Sequence, residues 1–418
     1  MHPCAVLRAG ELRKPALFAG IVHSCGSACQ SLEFGSALAA CGQGHAARRD
    51  AESGSAFSFR IMATVLISMH VLHVVGARPN FMKAAPVLRA LAERGVKQTL
   101  VHTGQHYDSD MSDVFFTQLG MPAPDVNLEV GSGSHAVQTA EVMIRIEREL
   151  TERQPDLVLV YGDVNSTMAA ALVCSKLSKR LGHVEAGLRS FDRTMPEEIN
   201  RLVTDQLADI LFTPSEDGDA NLQREGVAAE KIHRVGNVMI DTLMRLLPAA
   251  EKMNGLPDRY ALVTLHRPSN VDSGKRLREI FCMLQQIQKD VDVVFPVHPR
   301  TRQRLAEIGL EEGGLRLMGA LPYIEFLALQ KHATVVITDS GGVQEETTFL
   351  NVPCLTLRTT TERPVTVSVG SNVLIGEDMA RLKDETARVL NGQGKKGGIP
   401  PLWDGHAADR IADVVMKA

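Results

Sequence analysis

YGDVNST (161–167), HVEAGLR (183–189) and MPEEINR (195–201) lie close together and decide how the rest of the chain is read. Two apolar runs, PDLVLV and LGHVEAG, end in loops that carry Asp163 and Glu185, and Glu197 and Glu198 follow at the start of an apolar-periodic segment. In an open α/β sheet, loops at the carboxyl ends of neighbouring strands converge on one crevice. Several carboxylates in one crevice suit an enzyme that moves protons, because like charges push each other's pKa apart. Each acid alone has an ordinary reading, Asp163 as a helix cap and Glu197 as a first-turn acid. Three on successive loops point to a site.

The pattern around this stretch is regular. HVLHVV (70–75) reads as a strand, followed by the turn GARPNFMK (76–83) and an apolar-periodic helix over 84–95 with Gly95 as its C-cap. Further strands are expected at 98–104, 155–160, 181–187, 208–215 and 231–237, with a helix across 136–153 that Pro155 breaks. Residues 248–259 are polar, carry two prolines and mark a change of unit. A second alternating series follows, with strands expected at 260–266, 291–299, 315–319, 334–342, 352–358 and 371–376 and a helix over 277–288. Such alternation means parallel sheets covered by helices. The expected fold is α/β, two doubly wound Rossmann-like domains facing a central cleft, an architecture of glycosyltransferase-B type that other two-domain α/β enzymes also fit. The domains expected are 63–248, carrying the acids, and 249–402, with a C-terminal helix in 403–418 for which packing back on the N-terminal domain is one option.

Composition excludes several classes. The chain has 418 residues, 44% hydrophobic and 22% charged with a net charge of −4, long enough for two domains that each bury a core. There is no basic stripe for nucleic acid and no run long enough to span a membrane. Residues 1–62 are rich in Gly, Ala and Ser, lack a period and match nothing downstream. A targeting segment, a disordered extension and translation from a start codon set too far upstream compete there, and Met62 and Met69 favour the last. Cys4, Cys25, Cys29 and Cys41 lie in that segment without zinc-like spacing, and Cys174, Cys282 and Cys354 read as small buried hydrophobes.

TDSGGVQEE (338–346) takes a strand directly into a helix. Gly341 and Gly342 allow backbone N–H groups to approach a diphosphate, the helix N-terminus favours its charge, and Ser340 offers a hydroxyl. Glu346 lies about one turn in, where a carboxylate can accept from ribose hydroxyls. Arg78 and Lys83 flank a helix-opening turn that is not the dinucleotide glycine motif, and both can meet an anion or simply face solvent. His102, His106, His266 and His298 sit at strand ends as hydrogen-bond or phosphate partners, His266 being the strongest, and they do not cluster as metal ligands.

In family order the chain carries GxRPxxxKxAP, TGQH, GDxxST, HVEAGLR, PEExNR, GN, HRxxN, TDSGGxQEE, PCLTLR and TERP, from about Val71 to Ile411. It thereby resembles the non-hydrolysing UDP-N-acetylglucosamine 2-epimerases. The resemblance implies two Rossmann domains, a UDP-sugar substrate, neither metal nor nicotinamide cofactor, a cytoplasmic homodimer, and no nucleic-acid or membrane partner. It places Asp163, Glu185 and Glu197 on catalytic acid/base positions and His266 beside the diphosphate. Arg78, Lys83, Ser340, Gly341, Gly342 and Glu346 fall on UDP-binding positions, and Phe326 near the uracil.

The implied reaction is reversible C2 epimerisation through elimination of UDP to a 2-acetamidoglucal and readdition. Proton removal and delivery on opposite faces need two differently placed groups, and the departing diphosphate needs cations and helix N-termini. Where many members have Arg-Glu after the HR pair, this chain has Pro268 and Ser269, and Tyr107 and Asp108 follow TGQH. The first departure leaves the sugar open, so a related UDP-diacetamido sugar remains an alternative, and the second leaves an activator site open. A retaining glycosyltransferase of the same fold and a nucleotide-sugar-binding regulator are the readings from other classes. Three acids near C2 weigh against both.

Overall fold

The computed structural model describes residues 69–105, 116–297, 299–310 and 313–418. The segment 1–62 with its four cysteines, together with His106, Tyr107, Asp108 and His298, lies outside the described residues.

The first half begins with β1 (His70–Val75), whose six residues are all buried. It continues through β2 (Lys97–His102), β3 (Val126–Asn127), β4 (Leu157–Tyr161), β5 (Leu181–Val184), β6 (Ile210–Thr213) and β7 (Ile232–Arg234). These pair in parallel in the order β3-β2-β1-β4-β5-β6-β7. The near-continuous apolar runs of β1 and β4 follow from burial on both faces. Val71, Val75, Leu157 and Leu159 pack on one side with the helices Arg78–Glu93 and Val238–Leu246, while Leu72, Val74, Val158 and Val160 pack on the other with His135–Arg153 and Asn165–Lys176.

The second half repeats the scheme with β8 (Tyr260–Thr264), β9 (Asp292–Pro296), β10 (Arg316–Met318), β11 (Val335–Thr338), β12 (Cys354–Thr356) and β13 (Asn372–Leu374). Their order is β10-β9-β8-β11-β12-β13, again parallel. In both sheets the strand order reverses beside the first strand, between β1 and β4 and between β8 and β11. Ligand crevices open at the carboxyl ends of such pairs.

The helix Arg78–Glu93 starts six residues before the expected 84, inside a stretch read as a turn. Pro79 is tolerated in a first helical turn. Asn80 Oδ1 accepts from Gly76 N and Ala77 N at 3.0 and 3.1 Å, a reverse cap that the helical pattern alone does not reveal. The C-terminal helix Ala407–Val415 buries Ala408, Ile411 and Val415 in the same apolar cluster as Val87 and Leu91. Asp241 caps it by accepting from Ala407 N and Ala408 N at 3.2 and 2.7 Å, and Arg94 pairs with Asp409 and Asp413. Trp403, the single tryptophan, donates from Nε1 to the Pro214 carbonyl at 3.0 Å. Cys174 and Cys354 are buried, whereas Cys282 is exposed on the helix Gly274–Ile287, because its position falls opposite the apolar stripe Leu277, Ile280, Phe281 and Leu284. Among the described residues no helix is long and apolar enough to cross a membrane.

Candidate active site

The ends of β1 and β4 are clipped together. Asn80, besides capping the turn after β1, donates from Nδ2 to the Tyr161 carbonyl at 2.7 Å. Gly76 is required by packing, since a Cβ there would stand 2.4 Å from Ser166 Oγ. The clip brings Arg78, Lys83 and Asp163 to one wall of a cleft of about 420 Å³, within the range of small-molecule sites. Arg78 has no acidic partner within ion-pair distance among the described residues. Lys83 is buried and pairs with Glu185 Oε2.

In HVEAGLR the flanking residues form the scaffold. Buried Asp205 accepts from Arg189 Nη1 at 2.7 Å and Gly187 N at 3.1 Å, and its Oδ1 meets His183 Nδ1 at 2.6 Å. Burial alone would raise Asp205, but the His183 ring and the Arg189 guanidinium pull it below the usual carboxylate range. Between these anchors Glu185 adopts φ 74°, a left-handed conformation that a side chain with a Cβ occupies only under constraint. Glu185 is 5% exposed and does not stand on the cleft wall. It lies one layer behind, with Arg363 Nη2 donating to its Oε1 at 3.2 Å.

MPEEINR divides its two acids. Glu197 is exposed at the mouth, where the cleft meets an adjoining cavity that also includes His266 and Arg267. Glu198 points inward and accepts from Ser190 N at 2.9 Å, Phe191 N at 2.9 Å and Arg201 Nη2 at 2.5 Å. Burial opposes its ionisation, and these donors outweigh burial and hold its pKa low. Arg201 also pairs with Asp163 Oδ2. Asn200 Nδ2 donates to the Asp163 carbonyl at 2.8 Å, fixing the loop.

Across the cleft, β8 ends at the His266 turn and β11 at Asp339. Asp339 is fully buried and accepts from His266 N, Arg267 N and Asn270 Nδ2 at 3.0–3.1 Å. Its Oδ1 lies 3.1 Å from His266 Nδ1, orienting a ring that is otherwise open to the cleft. Burial raises Asp339, and the His266 contacts together with Asn270 bring it below its ordinary value. Ser340 precedes the helix Gly341–Leu350, whose N-terminus faces the cleft with Gly341 and Gly342. A Cβ on Gly341 would stand 2.5 Å from Arg363 Nη1, whereas one on Gly342 would meet only Met239 Cε at 3.9 Å.

Phe326 is half-buried on the cleft wall. Glu346 lines the same wall, with Tyr323 OH at 2.8 Å on one oxygen and Gln330 Nε2 at 2.6 Å on the other, and burial raises its pKa. His102 points elsewhere: it is buried against Phe81 and Phe116, and burial lowers its pKa.

The sequence reading missed the arginines that organise the floor. TERP supplies Glu362 and Arg363. Glu362 accepts from Arg363 Nη1 and Arg358 Nη2, each at 2.6 Å, and these cations overcome burial and drive it far below the carboxylate range. Arg201, Glu198, Asp339 and Glu345 were also passed over as site residues. The adjacent opposite charges in TERP are the only local signal that could have flagged this floor. Among the described residues no group of His, Cys, Asp or Glu side chains is arranged to hold a metal ion.

Two parallel doubly wound sheets whose switch points face one cleft, lined by both cations and acids, define a two-domain α/β enzyme site for an anionic ligand. A family model described as UDP-N-acetylglucosamine 2-epimerase matches residues 89–416, and the chain belongs to that family. The UDP-N-acetylglucosamine 2-epimerase of Methanocaldococcus jannaschii is 42% identical over 358 residues, covering 82% of this chain and 97% of that protein. The UDP-2,3-diacetamido-2,3-dideoxy-D-glucuronate 2-epimerase of Pseudomonas aeruginosa is 42% identical over 355 residues, covering 84% and 100%. The crystal structure of the Methanocaldococcus jannaschii enzyme in complex with UDP-GlcNAc and UDP superposes with a TM-score of 0.78 at 42% identity, covering 84% of this chain and 100% of that one.

Proposed function

We propose that this protein interconverts UDP-N-acetylglucosamine and UDP-N-acetylmannosamine by eliminating UDP to a 2-acetamidoglucal and adding it back. The observation that carries the reading is the convergence of both switch points on one cleft, with the N-terminus of Gly341–Leu350 facing Arg78 and Asp163 between them. The diphosphate takes the N-terminus at Ser340, Gly341 and Gly342 with Arg78 and Lys83. Glu346 holds the ribose and Phe326 packs near the uracil. As the C1–O bond breaks, UDP leaves with the bonding pair, a carboxylate takes the C2 proton, and the C–H electrons form the C1=C2 bond. Reprotonation on the other face and return of the UDP oxygen to C1 give the epimer. Asp163, Glu185 and Glu197 supply the proton-transfer groups, and His266, aimed by Asp339, faces the departing diphosphate. We place the enzyme in the cytoplasm as a homodimer.

A second reading, a 2-epimerase of a UDP-diacetamido uronic sugar, has equal support from identity, since both named relatives stand at 42%. Incubation with each UDP sugar, followed by proton NMR of the anomeric region, separates the two. Conversion of UDP-N-acetylglucosamine supports the first. Conversion of the diacetamido sugar alone overturns it in favour of the second, and transfer of the sugar to an acceptor overturns both.

A further inference from the structure

Glu345 is an acid of the cleft to which the mechanism above gives no task. It is 1% exposed, yet it is part of the cleft wall. Its charged neighbours come from three elements: Lys83 on the helix Arg78–Glu93, Glu185 in the loop after β5, and Arg363 before the helix Pro364–Ser368. On its own helix, Glu346 is turned away toward Tyr323 and Gln330.

The donors are shared unequally. Glu185 has a cation on each oxygen, Lys83 on Oε2 and Arg363 on Oε1. For Glu345, Arg363 Nε stands 2.8 Å from Oε1 but off the N–H direction, and neither oxygen has a hydrogen-bond partner among the described residues. A buried carboxylate with one misaligned ion-pair contact is harder to keep ionised than one with two charge-assisted partners. Arg363 also pairs with Glu362, which Arg358 holds as well, so among the three acids around this guanidinium a single proton goes to Glu345, the one with no aligned donor.

We propose that Glu345 is a positioning residue for the epimerisation: it carries the proton of the Glu345–Glu185 pair in the resting enzyme and so leaves Arg363 Nη2 to Glu185, which acts as the carboxylate, while Nη1 stays with Glu362. The inference rests on the reaction proposed above and deepens it by naming the charged and the neutral acid. Burial, reinforced by the charge of Glu185, pushes Glu345 up to about 7, so its proton is lost within the physiological range. Above that pH a third negative charge, beside Glu185 and Glu362, competes for Arg363 and faces the incoming diphosphate.

The test is the pH profile of kcat/KM for wild type and Glu345→Gln, whose amide is neutral at every pH. Wild type is expected to lose activity above neutrality. Glu345→Gln is expected to carry that alkaline limb at least about one unit higher, with UDP affinity at pH 6 within about threefold of wild type. Coincident limbs overturn the proposal. So does a folded Glu345→Gln that binds UDP but turns over at no pH, because Glu345 then transfers the proton itself.

A second arm does not depend on catalysis or on the folding of that variant. Carboxyl-carbon NMR of glutamate-labelled wild type should show one glutamate titrating near neutrality, moving to lower pH in Glu185→Gln. Absence of that titration overturns the proposal even if wild type turns over no UDP sugar, an outcome that would separately sink the proposed reaction.

Discussion

Arg363 Nη2 lies 3.2 Å from Glu185 Oε1, joining a loop of the second sheet to a loop of the first at a separation of 178 residues. The same guanidinium pairs with Glu362 and Glu345. Removing it leaves buried acids short of positive charge, which typically costs about 3–5 kcal/mol. Arg363→Met, close in volume but uncharged, should therefore lower the unfolding free energy by that order in a urea titration and also depress kcat/KM. A variant of wild-type stability would show that the buried acids are neutral without Arg363.

Asp339 accepts three donors of the β8 turn and aims His266. Asp339→Asn keeps one acceptor oxygen and loses the charge. Turnover should fall by about 100-fold, the lower end of the span ascribed to general acid/base groups, because Asp339 acts through His266, while UDP binding measured by calorimetry stays within about threefold. Loss of UDP binding with turnover per bound substrate intact would mean that Asp339 shapes the nucleotide site instead.

Two neighbouring glycines should respond differently. A methyl on Gly341 collides with Arg363, and one on Gly342 meets nothing closer than 3.9 Å. Gly341→Ala should lower Tm and weaken UDP by about 1–3 kcal/mol. Gly342→Ala should leave Tm unchanged and weaken UDP only, through loss of close backbone approach to the diphosphate. Equal Tm losses would show that the space beside Gly342 is smaller than described.

Burial pushes Asp241 up to about 6 despite the two backbone N–H groups it receives from the C-terminal helix. A carboxyl with a raised folded pKa contributes stability fully below its unfolded value near 3.9, and loses it as pH rises through about 6. Asp241→Asn does not titrate, so its stability relative to wild type should improve by about 1–3 kcal/mol between pH 4 and pH 8. Trp403, which bonds the Pro214 carbonyl beside this helix, gives the fluorescence signal for both proteins. A stability difference that does not vary with pH would contradict the shift.

Alternation of apolar runs with helical periodicity was enough to read both sheets, because parallel strands buried on two faces leave an unmistakable composition. It missed β3, a two-residue strand too short to show a period, and the first turn of Arg78–Glu93, hidden by Pro79 and Asn80. The topology likewise accounts for Arg78, Asp163, His266 and Ser340, since each follows a strand at a switch point. Glu185 was legible as an acid but not as one set behind Lys83 and Arg363. Asp339 and Glu345 acquire meaning only from partners far along the chain, and Arg363 shows locally only its pair with Glu362 in TERP, so no local pattern encodes its reach to Glu185.

The central claim is that acids of this cleft exchange the C2 proton while UDP is detached. It is tested most directly by running the reaction in deuterated water and examining both epimers by NMR and mass spectrometry. The account predicts one deuterium at C2 of the product, entering at the rate of epimerisation, and loss of both epimerisation and label in Asp163→Asn. Epimerised product that retains its original hydrogen at C2 would contradict it, because hydride return or chemistry at another carbon would then carry the inversion.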